Sequence, residues 1–396
     1  MNLATLDYIH RHAADDVRQL ALRGSNNPEV QLSYALDQIA GRQKAQSKLP
    51  SWAAIDGIVY PPHLSMEQCS SELTARYKAS IAGQGAQVVD LTAGFGVDMA
   101  FISQGFREAV HVERQQELCV VSSANYQLLG LQHIQVVCGD GVEYLHQMAH
   151  ADLIFIDPAR RDEHGSRTYG IANCTPNVLE IIDEMLEKAD RVMLKLSPML
   201  DWRKAVQDLG KVSEVHIVSV DNECKELLII VNSDLQPIKV VCVNLLSDGS
   251  KEVFEFTDRV LGFSNPSSQT LHSSLFTNYL YVPNASIMKA GCFEQLQQRF
   301  GITQLDKNSH LFVSDTDISD FPGRQFIIER TSSMNKRDLK AALEGITKAN
   351  LAVRNFPMSV AELRKRLKLK EGGDVYIFGT TIAGKGHQLL VCRKKS

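Results

Sequence analysis

Residues 88–101, VVDLTAGFGVDMAF, predict a strand that runs through a turn with two glycines into a helix. Gly94 and Gly96 can adopt positive φ, and without Cβ atoms they allow a ligand to approach the backbone closely. A dinucleotide site would carry GxGxxG, but Met99 stands where the third glycine belongs. The acid at the end of the strand, Asp90, is unfavourable beside a pyrophosphate and suits a cationic ligand. A tight turn that binds nothing is the alternative interpretation.

Short strand-like runs alternate with helical stretches from residue 86 to about residue 235, which predicts a parallel sheet with helices on both faces. The last two runs flank the short polar segment DNECKE and predict an antiparallel hairpin at the edge of the sheet. The seven runs are AQVVDL, EAVHVE, IQVVCG, ADLIFID, RVMLKLS, EVHIVSV and LLIIVNS. Seven strands that end in a hairpin differ from a generic dinucleotide-binding sheet.

Acidic residues end the first four of these strands: Asp90, Glu113, Asp140 and Asp157. Open α/β sheets bind ligands at the carboxyl ends of their strands, so we expect the four side chains at one ligand site. Glu113 is placed to accept ribose hydroxyls and Asp140 to accept an adenine amino group. S-adenosylmethionine fits such a site because it has no phosphates and carries a sulfonium and an ammonium. The alternative for any one of these acids taken alone is a helix N-cap or a solvated loop residue.

The order DLTAGFG, HVE, GD, DPAR resembles the class I S-adenosylmethionine-dependent methyltransferases over about residues 67–235, and most closely the RNA-directed group that includes trimethylguanosine synthase. The C-terminal third is similar to the THUMP-like domain of a group of bacterial methyltransferases. PNASIMKAGCF, HLFVSD and FPGRQF are similar to the ferredoxin-like insert of that group. The implied fold is α/β, a seven-stranded Rossmann-like sheet with an N-terminal helical region and C-terminal α+β domains. The predicted boundaries are 1–80, 81–236, 237–325 and 326–396.

The resemblance also implies a set of cofactor-binding residues in the glycine turn, at the strand ends and on the helix that precedes the first strand. On that helix, within EQCSSELTARYK, a capped amphipathic helix packed on the sheet is an equally good interpretation. The predicted cofactor-binding residues are Asp90, Thr92, Gly94, Gly96, Glu113, Asp140, Gly141, Thr74 and Lys78.

The fourth strand carries the predicted catalytic residues. Methyltransferases that act on exocyclic amines end this strand in Asp/Asn-Pro-Pro-aromatic, so Asp157 and the Pro158 carbonyl correspond to the groups that hold the amine. Here an alanine replaces the second proline and Arg160 replaces the aromatic residue. Arg160 can stack on a base or clamp a phosphate, and Tyr169 can supply the ring. A local ion pair is the alternative for Arg160 and Arg161, and Lys195 is expected to be structural or to lie at the pocket rim.

Composition limits the functional classes. A net charge of −4 argues against a uniformly basic nucleic-acid binder. No apolar run approaches the roughly 18–20 residues that span a bilayer. The N-terminus lacks the apolar core of a signal peptide, so we expect no membrane partner and a cytoplasmic protein. The eight cysteines are scattered without zinc-like spacing, which predicts no metal and mostly buried thiols.

Basic residues concentrate near the C-terminus: ten Lys/Arg face three Asp/Glu between Asn335 and Lys370. The helix SVAELRKRLKLK and the terminal RKKS are compatible with an RNA-binding surface or with an ordinary solvated helix. Together with the resemblance, they predict an S-adenosylmethionine-dependent methyltransferase that modifies tRNA or rRNA at a base nitrogen. A small-molecule or protein methyltransferase, or an idle cofactor- or RNA-binding protein, are the alternatives.

Overall fold

The computed structural model describes residues 2–160, 170–233, 237–258 and 278–395. The chain divides into two compact units. The first comprises Met1–His216 and Lys225–Lys239, and the second comprises Ile217–Cys224 and Val240–Ser396.

The first unit begins with six helices, which confirms the predicted N-terminal helical region. Asn2, Asp16 and Ser71 cap the first, second and sixth helices, each accepting a backbone N–H with its side chain. These helices are α1 Leu3–Arg11, α2 Val17–Arg23, α3 Leu32–Lys48, α4 Pro50–Ala53, α5 His63–Gln68 and α6 Glu72–Ala82.

A mostly parallel sheet follows, because β-branched and apolar runs alternate with amphipathic helices. Its strands are β1 Gly85–Asp90, β2 Phe106–Glu113, β3 Ile134–Cys138, β4 Ala151–Ile156, β7 Ala189–Leu196, β8 Val212–Val220 and β9 Glu223–Val231. The short strands β5 Ala159–Arg160 and β6 Cys174–Thr175 pair only with each other among the described residues. The helices are α7 Val97–Ile102, α8 Gln116–Leu128, α9 Gly141–Gln147, α10 Val178–Lys188 and α11 Trp202–Leu209.

The strand order β8-β9-β7-β4-β1-β2-β3 confirms the predicted class of fold. β1 lies between β2 and β4, parallel to both, and β9 is antiparallel to β7. The carboxyl ends of β1, β2, β3 and β4 therefore meet at one edge, as expected from the alternation of strands and helices.

In the second unit, β10 Ile238–Leu245 and β11 Lys251–Asp258 continue the strand order beyond β8. The sheet therefore has nine strands, and the predictions of seven strands and of an edge hairpin were wrong. The hairpin itself is present, with positive φ at Asp221 and Asn222. The apolar run IKVVCVNL indicates a strand at 238–245, but such a run does not specify which strand it pairs with.

The second unit also contains a separate seven-stranded sheet in the order β13-β14-β12-β15-β18-β17-β16. The strands are β12 Tyr279–Pro283, β13 Thr303–Gln304, β14 Phe312–Ser314, β15 Gly323–Ser333, β16 Asn350–Arg354, β17 Val375–Ile382 and β18 Gly386–Lys394. The helices are α12 Ala285–Ala290, α13 Phe293–Phe300, α14 Lys336–Ala342 and α15 Val360–Leu367. The segment SIMKAGCFEQLQQRF forms two helices rather than one, because Gly291 adopts φ +65° and separates α12 from α13.

Within the described residues, no helix is both long enough and apolar enough to cross a bilayer. Five of the eight cysteines are buried and only Cys138 is exposed. The described residues contain no group of three or more His, Cys, Asp or Glu side chains arranged to hold a metal ion.

Candidate active site

The two glycines of the first turn have different roles. Both adopt positive φ, +56° at Gly94 and +83° at Gly96. A Cβ on Gly96 would lie 2.1 Å from the Tyr126 hydroxyl, so packing requires this glycine. A Cβ on Gly94 would meet no atom within 4 Å among the described residues, which leaves the backbone open on that side. The open side of Gly94 is where a ligand can approach the backbone.

Glu113, at the end of β2, holds the glycine turn in place. Its Oε2 accepts the Gly94 N–H at 3.0 Å, and its Oε1 accepts the Gln115 N–H at 2.7 Å. The carboxylate therefore lies directly beside the open turn, and each oxygen keeps a lone pair for a ligand hydroxyl.

Asp140 is the N-cap of α9: its Oδ1 accepts the N–H groups of Val142 and Glu143 at 2.8 and 3.2 Å. The capping role considered for this residue is thus present, and it occupies only one oxygen. Gly141 lies against β1, because a Cβ there would come within 2.0 Å of the Leu91 carbonyl oxygen. The end of β3 is therefore fixed close to the glycine turn.

Asp90 is buried at the end of β1 and its Oδ1 accepts the Thr92 N–H at 2.9 Å. Burial raises the pKa of Asp90 well above its usual range, and the nearby carboxylates of Asp98 and Asp157 raise it further. Thr92 also accepts the Asp157 N–H at 2.7 Å with its hydroxyl oxygen. This bond joins the ends of β1 and β4.

Asp157 forms an ion pair with Lys195, which comes from β7. Burial lowers the pKa of Lys195, but the carboxylates of Asp157 and Asp98 outweigh burial, so the net shift is upward. Lys195 thus lies within the site, beside the predicted catalytic acid. The Asp157 side chain keeps 38% of its surface exposed, so it can still receive a ligand.

Lys78, predicted to bind cofactor, is fully buried. Its ammonium donates to both oxygens of Glu226 at 2.8 and 2.7 Å and to Ser70 Oγ at 3.2 Å. Thr74 is also buried, and its hydroxyl donates to the Ser71 carbonyl at 3.1 Å in the first turn of α6. The contacts of both residues are therefore with the protein interior and the helix cap.

Sequence reasoning did not identify Glu226, Ser70 or Asp98 as parts of this site. Asp98 lies 3.2 Å from Lys78 and 3.9 Å from Lys195, between the two lysines. Its position in the first turn of α7, directly after the glycine turn, was the available signal. For Glu226 the signal was a single acid beside the apolar run LLIIV in β9.

The segment after Asp157 leaves the main sheet. Ala159 and Arg160 pair antiparallel with Thr175 and Cys174. Pro158 is therefore the last residue before this two-stranded ladder. The Arg160 side chain, Arg161 and Tyr169 lie outside the described residues.

The strand order and the acids at the strand ends define a class I methyltransferase fold. Three family models match parts of the chain: a protein-L-isoaspartate(D-aspartate) O-methyltransferase model at residues 70–162, a ferredoxin-like domain at 279–322 and a THUMP domain-like model at 323–394. A crystal structure from Porphyromonas gingivalis W83, described as that of a candidate methyltransferase, is 32% identical with a TM-score of 0.88. That match covers 100% of this chain and 98% of that one. The chain belongs to this family of methyltransferase-fold proteins with ferredoxin-like and THUMP-like domains.

Two further solved structures match only part of the chain. A candidate methyltransferase from Streptococcus mutans in complex with SAH is 13% identical over 40% of this chain and 95% of that chain, with a TM-score of 0.31. TrmK from M. capricolum in complex with S-adenosyl-homocysteine is 13% identical over 41% of this chain and 68% of that chain, with a TM-score of 0.32. A comparison with curated proteins gives no significant match. The family and the fold together support a methyltransferase.

Proposed function

We propose that this protein is an S-adenosylmethionine-dependent methyltransferase that modifies a base nitrogen of tRNA or rRNA. One observation carries the proposal: Asp90, Glu113, Asp140 and Asp157 lie at the carboxyl ends of four strands of one sheet, around a glycine turn that is open at Gly94. Such an edge suits a ligand with hydroxyls, an adenine amino group and positive charge, and without phosphates.

The residues present fit this cofactor. Glu113 would accept the ribose hydroxyls, and the uncommitted oxygen of Asp140 would accept the adenine amino group. Gly94 would let the cofactor pass close to the backbone, since no side chain stands in the way. When bound, S-adenosylmethionine supplies an electrophilic methyl group on a sulfonium.

Asp157 would orient the nucleophile. Lys195 pairs with one oxygen of the carboxylate, so Asp157 is fixed in position with an exposed side. An amine that donates an N–H to Asp157 and another to the Pro158 carbonyl has its lone pair directed away from both, toward the methyl group. Alignment of this kind, with little proton transfer in the chemical step, accounts for much of the catalysis of group transfer.

The THUMP-like domain would hold the RNA. In α15, Arg364 donates to the Ala349 carbonyl at 3.1 Å, and Arg366 donates to the Met334 carbonyl at 3.3 Å. The adjacent Lys365 and Lys368 form no ion pair within the described part of the chain. The candidate phosphate-contacting surface therefore includes fewer side chains than the five Lys and Arg residues of SVAELRKRLKLK, and we centre it on these two lysines.

Two measurements test the proposal. Isothermal titration calorimetry with S-adenosylmethionine tests the cofactor, and a nucleoside analysis by mass spectrometry, comparing RNA from a deletion strain with that from its parent, tests the substrate. We expect micromolar cofactor binding and one missing methylated nucleoside that the purified protein restores with labelled cofactor. An unchanged nucleoside profile, together with no RNA binding even at low salt, would favour a small-molecule or protein substrate.

A further inference from the structure

The first unit holds a cluster of six charged side chains at and beneath the carboxyl edge of its sheet. They come from α6, α7 and the strands β1, β4, β7 and β9, and most of them are buried. The acids are Asp90, Asp98, Asp157 and Glu226, and the bases are Lys78 and Lys195.

Two ion pairs account for both lysines. Both side chains of the Lys78–Glu226 pair are buried. The net charge of the pair is zero whether the shared proton lies on the lysine or on the glutamate. The pair of Lys195 with Asp157 also sums to zero. All three N–H donors of Lys78 are used, two on Glu226 and one on Ser70. The four acids therefore outnumber the two lysines, although Asp98 also lies 3.2 Å from Lys78 and 3.9 Å from Lys195.

Asp98 and Asp90 are the acids outside these two pairs. The Oδ2 of Asp98 accepts the Ser70 hydroxyl at 2.7 Å. Its Oδ1 is buried 3.2 Å from the Lys78 ammonium, yet it accepts no hydrogen bond within the described part of the chain. Asp90, buried nearby, accepts only the Thr92 N–H within the described part of the chain, and burial favours its neutral form by raising its pKa. The site therefore carries at least one negative charge in excess. Burying such a charge is unfavourable in free energy unless a bound cation compensates it.

We propose that Asp98 makes this site selective for the charge of its cofactor, so that it binds S-adenosylmethionine more tightly than S-adenosylhomocysteine. The inference rests on the proposed function and adds the residue that distinguishes cofactor from product. The two molecules differ at one sulfur, which is a sulfonium cation before transfer and a neutral thioether after it.

Methyl transfer itself would remove the attraction between the sulfonium and the excess negative charge. The S–CH₃ bond breaks, the N–CH₃ bond forms, and the bonding electron pair stays on sulfur. The positive charge would move to the acceptor nitrogen, which would then lose a proton to water. The excess charge at Asp98 then has no cation, so the site favours release of the product and capture of a new cofactor.

Calorimetric titration of the full chain with three ligands tests this inference: S-adenosylmethionine, S-adenosylhomocysteine and sinefungin, whose amine replaces the sulfonium and keeps a positive charge. For the wild type we expect both cationic ligands to bind about tenfold more tightly than S-adenosylhomocysteine. In Asp98→Asn, which keeps an acceptor for Ser70, we expect the ratio to fall toward one because the cationic ligands bind more weakly. Asp56→Asn, in which the replaced acid has a 93% exposed side chain, should keep the wild-type ratio.

The outcomes separate the two proposals. Equal affinity for all three ligands in the wild type, or an unchanged ratio in Asp98→Asn, overturns the charge selectivity and leaves the methyltransferase proposal standing. Binding of none of the three overturns both. If Asp98→Asn does not fold by circular dichroism, Asp98→Ser provides the same comparison, since it also removes the charge. A wild-type ratio in folded Asp98→Ser would then count against the inference.

Discussion

The ammonium of Lys78 contacts both carboxylate oxygens of Glu226, at 2.8 and 2.7 Å, although the two residues are 148 positions apart in the chain. Neither side chain has more than 4% of its surface exposed. The pair joins α6 to β9 beneath the carboxyl edge of the sheet. Burial raises the pKa of Glu226, and Lys78 opposes that rise, so each partner depends on the other.

Removing one partner of this pair should destabilise the protein strongly. We expect Lys78→Met to lower the free energy of unfolding by about 3–5 kcal/mol, because it leaves Glu226 buried and alone. The double variant Lys78→Met/Glu226→Leu should recover most of this loss. Urea unfolding measures both values. Lys44→Met, which removes an exposed pair with Glu67, should leave the free energy of unfolding nearly unchanged, and an equally small effect of Lys78→Met would refute the dependence.

Asp157 should matter for transfer and little for cofactor binding. We expect Asp157→Ala to reduce methyl transfer by about 100-fold or more, since the amine loses the group that orients it. Calorimetry should show a cofactor dissociation constant within about threefold of the wild type. Asp183→Ala, which removes an acid paired with Lys211 on the surface, is the control and should leave transfer unchanged. Full activity in Asp157→Ala would exclude Asp157 from the mechanism.

His111 should make stability depend on pH. It is fully buried, and burial lowers its pKa from 6.5 to about 3. The unfolded chain therefore binds a proton below pH 6.5 that the folded chain does not, so stability is complete above that pH and falls below it. Between pH 7 and pH 5 this one residue should cost about 2 kcal/mol.

His111→Asn tests this dependence, because the asparagine amide can still donate to the Tyr126 hydroxyl, which itself donates to the Gly96 carbonyl. The variant should lose stability less steeply than the wild type between pH 7 and pH 5 in urea unfolding. His150→Asn, at an exposed position, should follow the wild-type profile. Parallel profiles for His111→Asn and the wild type would contradict the assignment.

The sequence predicted the class of fold and the acids at the strand ends because both follow from local pattern. Alternating runs specify strands and helices, and the residue that ends a parallel strand lies at a known edge. The partners of Lys78 and Lys195 could not be predicted, since ion pairs across 148 and 38 positions depend on tertiary packing. For the same reason β10 was identified as a strand but assigned no place beside β8.

Lys365 and Lys368 should contribute to RNA affinity through phosphate contacts. We expect Lys365→Gln/Lys368→Gln to weaken binding of single-stranded RNA and to reduce the slope of log K against log salt by about 1.4, or roughly 0.7 per contact. Filter binding across a salt series measures this slope. Lys251→Gln/Lys307→Gln removes the same charge from other exposed positions of the second unit and should keep the wild-type slope. Equal slopes for both double variants would exclude α15 as the RNA-contacting surface.

Gly94 and Gly96 should respond differently to alanine, although they are two positions apart. In Gly96→Ala the new Cβ would meet the Tyr126 hydroxyl at 2.1 Å, so we expect a loss of about 3 kcal/mol or more in unfolding free energy. Gly94→Ala meets nothing within 4 Å among the described residues and should lose only about 1–2 kcal/mol from its φ of +56°. If the cofactor passes over Gly94, the Gly94→Ala variant should nevertheless bind the cofactor about tenfold or more weakly than the wild type.

Gly130→Ala is the matched control, because Gly130 has φ +73° and equally open surroundings but lies after α8, away from the turn. The Gly130→Ala variant should show the same small loss of stability as Gly94→Ala, with unchanged cofactor affinity. If Gly94→Ala and Gly130→Ala changed cofactor affinity equally, the open side of Gly94 would not be the cofactor site.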